Sequence, residues 1–494
     1  MIIFIAFNGV RCRLADRHLI AVAERDKEIE SMPRLYYQHP ETWFGDCMPV
    51  FADGAYQLFH QRDTRQPGPF GEPFGWALAR TTDFVSYTDL GEVVLRGGDK
   101  DQDQFIFAGS VFEANGRYHA FYTGYNRDHA AAGKPAQVLM HAVSEDLGTW
   151  TKINGDLLPP QEGYDPDNWR DPFVLRDDEN DRWVMILGAR KGSDLRAVTG
   201  RTVWFTSTDL ESWAFQGDFW APDLYTMHEM PDLFRIGDRW YLLTTEYSDR
   251  SKTVYRSSES LHGPWSAPVD DGIDGRAYYA ARSASDGEHR YLFGWVATKE
   301  GETDLGAWQW GGTLVVHEVY QRADHSLGVR IPETVRAALG RPESLITDPV
   351  TLGSPDGRQV RRLGELPAED PYVISLRITP QSPRSFALRL FEDDTATDGY
   401  AFTFRAGERR IDFDRIPNYP WYRYDNRGSE RPFTVEPGRG YDIDVVVDGT
   451  IATLYVDGVA LNVRAYDRPG RYLSVDVVDG TVTIARAELA SPGE

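Results

Sequence analysis

The chain is predicted to be all-β, a five-bladed β-propeller followed by a C-terminal β-sandwich. Three observations predict it. A strand–turn–strand phrase recurs five times in the first 300 residues, and almost no helical periodicity competes before residue 330. Beyond the last copy, short alternating strands separated by Asp-Gly turns resume and continue to the end. The expected organisation is a lead over residues 1–32, a propeller over 33–330, a linker with a short helix over 331–346 and a sandwich over 347–494. A length of 494 residues suits two such domains.

The repeat is clearest in its second strand. That strand reads AYQLFHQ from Ala55, RYHAFYTGY from Arg117, RWVMILGAR from Arg182, RWYLLTTEY from Arg239 and RYLFGWVAT from Arg290. The lead aromatics are Tyr56, Tyr118, Trp183, Trp240 and Tyr291, at intervals of 62, 65, 57 and 51 residues. Each copy follows a turn rich in Gly, Asn and Asp, residues that tolerate the positive φ of tight hairpins. A third strand runs into a Ser/Thr–Asp turn and closes on Tyr87, Trp150, Trp213 or Trp265. Three or four short strands per 50–65 residues, repeated five times, describe propeller blades.

After the fifth blade, IPETVRAALG (331–340) carries Pro332 near its start and Gly340 just past its end, the punctuation of a short helix. The strands beyond it, among them YVISLRI, YDIDVVVDG and IATLYVDGVAL, predict the sandwich. No catalytic spacing of acids, His or Cys stands out there.

Composition narrows the function. A net charge of −23 argues against nucleic acid and anionic membranes, which would repel the chain, and favours a neutral ligand. Two cysteines, Cys12 and Cys47, supply neither a disulfide framework nor metal-ligand spacing, so no metal or cofactor is expected. They favour a reducing cytoplasm, with secretion as the alternative. The apolar opening MIIFIAFNGV lacks a basic start, so a signal peptide is the weaker reading of the lead. The oligomeric state is left open.

The first strand of each blade runs closest to the axis, and its start lines one mouth of the channel. These starts read WFGDCMPVF, FAGSVF, WRDPFVL, HEMPDLF and RAYYAAR. Asp46, Asp171 and Glu229 stand ten, twelve and eleven residues before their lead aromatics, so three acids should converge on one pocket. Glycoside hydrolysis uses two carboxyl groups flanking the scissile bond. A third can hold hydroxyls and oppose developing positive charge. Asp232, inside its strand, and Asp165, in a loop, read as structural.

At these residues the sequence resembles glycoside hydrolase family 32, the invertase, levanase and inulinase group. WFGDCMPVF…YQLFHQ, FGWALARTTDFVSY, FAGSVF, WRDPFVL and HEMPDLF are similar to family blocks in family order, and the resemblance spans roughly residues 35–490. It implies a β-fructofuranosidase with Asp46 as nucleophile, Glu229 as general acid/base and Asp171 as transition-state stabiliser. Gln61, Trp76, Ser110 and Arg170 fall on positions that shape the sugar subsite. The chain departs from the family at Gly45, where Asn is usual, at Cys47-Met48-Pro49, at Met230, where Cys is usual, and at Leu78, where His is usual. The expected activity is retaining cleavage of a terminal β-fructofuranoside in a fructan, fructo-oligosaccharide or sucrose-like sugar. An arabinofuranosidase on the same fold, a fructosyl-transferring enzyme and a non-catalytic sugar-binding propeller remain the alternatives.

Overall fold

The computed structural model describes residues 35–492 except 69, 154–157 and 195. The expected lead and Cys12 lie outside the described residues.

The five first strands are Trp43–Ala52, Phe105–Ala114, Trp169–Asp177, Glu229–Ile236 and Tyr278–Ser285. Their antiparallel partners are Ala55–Asp63, Arg117–Tyr125, Arg182–Arg190, Arg239–Glu246 and Arg290–Lys299, as the repeat predicts. Third strands follow at Trp76–Thr81, Gln137–Ser144, Gly200–Ser207, Lys252–Ser258 and Trp308–Gln321. The ring closes between blades five and one. Phe44 pairs with Gly312, and Leu314 donates its N–H to Tyr37 O at 2.9 Å.

The recurrent Ser/Thr–Asp turns are locked by their own side chains. Ser207 Oγ accepts the Leu210 N–H at 2.9 Å while Asp209 Oδ1 accepts that of Ser212 at 2.8 Å. Ser144–Asp146 and Thr81–Asp83 repeat the pattern. These side chains satisfy backbone donors that a tight turn would otherwise leave open.

One irregularity recurs in all five blades. The ladder between first and second strands shifts register after Phe44, Phe107, Arg170, Glu229 and Tyr279. Such bulges bend a strand and re-aim its side chains. Asp171 (φ 64°), Met230 (φ 48°) and Ala280 (φ 55°) take left-handed backbone there.

The helix forms at Glu333–Ala338, with Pro332 ahead of it and Gly340 at φ 67° beyond. In the sandwich, the long strand Tyr472–Ala490 serves both layers. Its first half pairs with Ser385–Glu392 and its second half with Tyr372–Pro380. Gly399–Arg405 and Arg410–Ile416 extend one layer; Tyr441–Asp448, Ile451–Val456 and Val459–Arg464 extend the other.

The two domains share a core. Val446, Ile451, Tyr455 and Ala460 of the sandwich belong to the same apolar cluster as Leu292, Val315 and Val319 of blade five. Polar groups sealed in this interface include Asp274, Asn462 and Arg464, which pair across it. The buried Asp274 carboxylate accepts Asn462 N–H at 2.8 Å and its side-chain amide at 2.7 Å. Arg464 donates to Val296 O at 2.8 Å and Ala297 O at 3.0 Å. Asp274→Ala strands the Asn462 backbone N–H in a dry interface and removes one of the two partners of its side-chain amide, the other being His317. It should lower stability by about 2–3 kcal/mol, seen as an earlier midpoint in urea unfolding.

Candidate active site

The bulges bring residues from all five blades to one mouth of the ring. There a cavity of about 400 Å³ is lined by Asp46 and Gln61 of blade one, Phe107 of blade two, Asp171 of blade three, Glu229 of blade four and Trp310 of blade five. The three predicted acids and Gln61 therefore share one pocket, with Arg170 also in its wall.

Each acid is held differently. Asp46 accepts the Trp295 indole N–H at 3.1 Å. Asp171 accepts the Met230 backbone N–H at 3.0 Å, and its own N–H goes to Thr123 Oγ1 at 2.9 Å. Glu229 accepts one bond from Arg170 Nη2 at 2.7 Å and another from the Tyr279 hydroxyl. Arg170 Nε also stands 3.8 Å from Asp171, so one guanidinium spans two of the acids.

A second guanidinium lies behind them. The buried Arg282 donates from Nη2 to Asp171 O at 2.8 Å and from Nη1 to Gly109 O and Pro172 O. Burial lowers its pKa, and Asp171, Asp232 and Asp46 pull it back up. Asp232 is itself buried and accepts the Ser283 N–H at 2.6 Å, and Asp165 accepts Asp167 N–H at 3.0 Å; both are structural.

Burial, then the charges of Asp171 and Glu229, push the Asp46 carboxyl up to about 8, against the opposing bond from Trp295. Burial likewise raises Asp171, with Arg170 pulling it down. Burial works against the charge on Arg170, yet Glu229 and Asp171 more than offset it and its pKa is raised. A pocket that holds the Asp46 carboxyl up to about 8 beside two further carboxyls and a guanidinium has the acid and base inventory of proton-transfer chemistry.

Two expected subsite residues stand behind the wall. Trp76 is fully buried, packs against Phe59 and Tyr122, and donates its indole N–H to Phe107 O at 3.2 Å. Ser110 is buried, and its hydroxyl accepts the Val174 N–H at 3.1 Å. Both brace blade contacts. Conversely, Tyr279, Phe107, Trp295 and Trp310 were not singled out. The register count could have found the first two, since Tyr279 stands twelve residues before Tyr291 and Phe107 eleven before Tyr118.

Gly45 and Trp310 explain one another. A Cβ at position 45 would lie 2.4 Å from Trp310 Cη2 and 3.0 Å from Gln61 Cβ. The indole thus occupies the space a side chain at 45 would fill. A larger cavity of about 490 Å³ in the sandwich is a poorer candidate, because Asp476, the single acid in its lining, is paired with Arg358 at 2.7 Å.

Residues 37–322 match the sequence model of the family described as Glycosyl hydrolases family 32 N-terminal domain. Sucrose-6-phosphate hydrolase of Escherichia coli is 27% identical over 309 residues, 58% of this chain and 61% of that protein. Levanase of Bacillus sp. (strain L7) is 26% identical over 385 residues, 70% of this chain and 39% of that protein. These matches thus span about three-fifths of the first relative and less than half of the second. Fructan 1-exohydrolase IIa from Cichorium intybus superposes with a TM-score of 0.76 at 16% identity, over 94% of this chain and 97% of the other. The sucrose-6-phosphate hydrolase from Lactobacillus gasseri does so at 0.73 and 19%, over 96% of each. At such identities the likeness establishes the fold, a propeller joined to a β-sandwich.

The raised Asp46 has a cost for stability. Its value climbs from an ordinary 3.8 to about 8 on folding. Between those values the folded chain holds a proton that the unfolded chain has released, so stability falls as pH rises through that window. Asp46→Asn should therefore melt higher than the parent at pH 8, with the difference vanishing near about pH 4. Differential scanning calorimetry at the two pH values checks it.

Proposed function

The chain belongs to glycosyl hydrolase family 32, and on that premise we propose that it is a retaining glycosidase acting on terminal β-fructofuranosides. The observation that carries this reading is the convergence of Asp46, Asp171 and Glu229 on one pocket, each with distinct hydrogen-bond partners.

Asp46 is the nucleophile. Its oxygen bonds to the anomeric carbon as the glycosidic bond breaks, and the bond's electrons pass to the leaving oxygen, which takes a proton from Glu229. In the second step Glu229 takes a proton from water, the water oxygen bonds to the anomeric carbon, and Asp46 leaves as carboxylate. Trp295 steadies that carboxylate with its N–H. Arg170 and Tyr279 orient Glu229. Asp171, tied to the Met230 N–H, opposes the positive charge that builds on the sugar ring.

In the resting site a proton sits on Asp46, whose carboxyl is pushed up to about 8 by burial and by the charges of Asp171 and Glu229. The productive form carries the same single proton on Glu229 instead. Resting and productive forms therefore differ in proton location and not in proton number.

An uncharged fructoside fits this site better than a phosphorylated one. The lining brings Asp46, Asp167, Asp171 and Glu229 together with Arg127 and Arg170, and Arg170 is already engaged by Glu229 and Asp171. No metal or cofactor enters the scheme.

Glu229→Gln should lower kcat on sucrose and fructo-oligosaccharides by about 10²–10⁴-fold, and Asp46→Ala by at least as much. Near-parent turnover in either variant on every furanoside cleaved would sink the assignment, and the anomer released, read by NMR, checks retention. The pH profile gives a second test. kcat/KM should be bell-shaped and fall as pH rises through about 8, where the shared proton leaves. Asp171→Asn removes one of the charges holding that proton, so its falling limb should move to lower pH.

A further inference from the structure

Among the described residues the exposed large aromatic side chains are Tyr247, Tyr419, Trp421 and Tyr422, at 39, 72, 88 and 83% exposure. Solvent-facing rings of this size are costly to leave bare, and their clustering marks a contact surface. Tyr247 follows the strand Arg239–Glu246 and faces Arg170 and Glu229. The other three share the sandwich loop 417–429, between the strands Arg410–Ile416 and Glu430–Pro432.

That loop is anchored to the pocket end of blade five. Arg276 donates its N–H to Gly428 O at 2.9 Å and Nη1 to Arg427 O at 3.1 Å. Arg276 stands two residues ahead of the strand Tyr278–Ser285, which presents Tyr279 to Glu229. Lys299 Nζ reaches Asp425 O and Asn426 Oδ1, each at 3.5 Å. Lys299 ends the strand Arg290–Lys299, whose Trp295 reaches Asp46. The loop foot therefore rests on the strand ends that carry two site contacts.

The tip is stapled. Asn418 donates to Asp414 Oδ1 at 3.0 Å and to Tyr424 O at 2.9 Å, and accepts the Tyr424 N–H at 2.9 Å. This closes residues 418–424 into a hoop that holds the three rings outward. Trp421 and Tyr422 both take left-handed backbone, at φ 46° and 57°, which bulky residues seldom adopt. A rigid display lowers the entropy lost on contact.

We propose that Tyr419, Trp421 and Tyr422 form a stacking platform for the outlying sugar units of an oligo- or polyfructoside whose terminal unit occupies the propeller pocket. The platform rests on the fructosidase reading above. Flat aromatic faces suit the apolar faces of sugar rings, and the continuity of the loop foot with the pocket favours a ligand that already has one end there. A second copy of the chain would bring a like charge of −23, and an anionic membrane would be repelled as well.

The test compares the parent with the triple variant Tyr419→Ala/Trp421→Ala/Tyr422→Ala on sucrose, on a short fructo-oligosaccharide and on inulin or levan. The expected result is an unchanged kcat/KM on sucrose and a KM for the polymer raised about ten-fold. Trp421→Phe should keep most of the polymer affinity, which separates loss of stacking from loss of loop structure. An equal KM for polymer in parent and variant overturns the platform, as does a proportional loss on sucrose. A parent that sediments as a dimer which the variant abolishes also overturns it, by assigning the rings to a copy of the chain. Retardation in a gel containing levan or inulin separates the two readings. If the parent cleaves no fructofuranoside yet the variant alone loses retardation, the platform stands and the hydrolase falls. Equal retardation with parent-like cleavage sinks the platform alone.

Discussion

The ring depends on one buried guanidinium. Arg282 comes from blade five and ends on carbonyls of Gly109 in blade two and of Asp171 and Pro172 in blade three. A buried arginine is tolerable only when its donors and its charge are both answered. Carbonyls beside the bulges answer the Nη1 and Nη2 donors, and Asp46, Asp171 and Asp232 answer the charge. Asp46 and Asp171, which line the pocket, therefore also neutralise the group that ties the blades together. Pocket and scaffold draw on the same electrostatic balance.

The five-fold bulge is the geometric counterpart of that balance. A regular ladder would leave each first-strand N–H and C=O committed to its neighbour, with side chains alternating between blade faces. Breaking register at one level in every blade frees carbonyls for Arg282 and the Met230 N–H for the Asp171 carboxylate, and brings residues from every blade to the pocket wall. Asp171 and Met230 accept left-handed backbone to do so. The strain sits where the rest of the ring over-determines the structure.

Much of this was legible in the chain. The strand–turn–strand phrase repeats because each blade must bury the same faces, so the first and second strands of all five blades could be read from their turns and lead aromatics. The acids were legible through the same count, since a repeat places equivalent residues at equivalent depths. What escaped has a physical reason. Trp295 and Trp310 reach the pocket from second and third strands, where no count from the lead aromatic points inward. Arg282 acts through backbone carbonyls, which carry no residue type to recognise. Trp76 and Ser110 match a family pattern by position, but position does not say which way a side chain leaves its strand; both turn into the blade contacts.

Gly45 and Trp310 lie 265 positions apart in the chain and fill one volume. Sites that compete for the same space cannot be exchanged one at a time. Restoring a side chain at 45 while the indole remains means a collision, and trimming the indole first opens a void beside Asp46. The order of substitution then matters, and each intermediate is worse than either end. A side chain at 45 and the indole at 310 are mutually exclusive choices for one volume, so single steps cannot exchange one for the other.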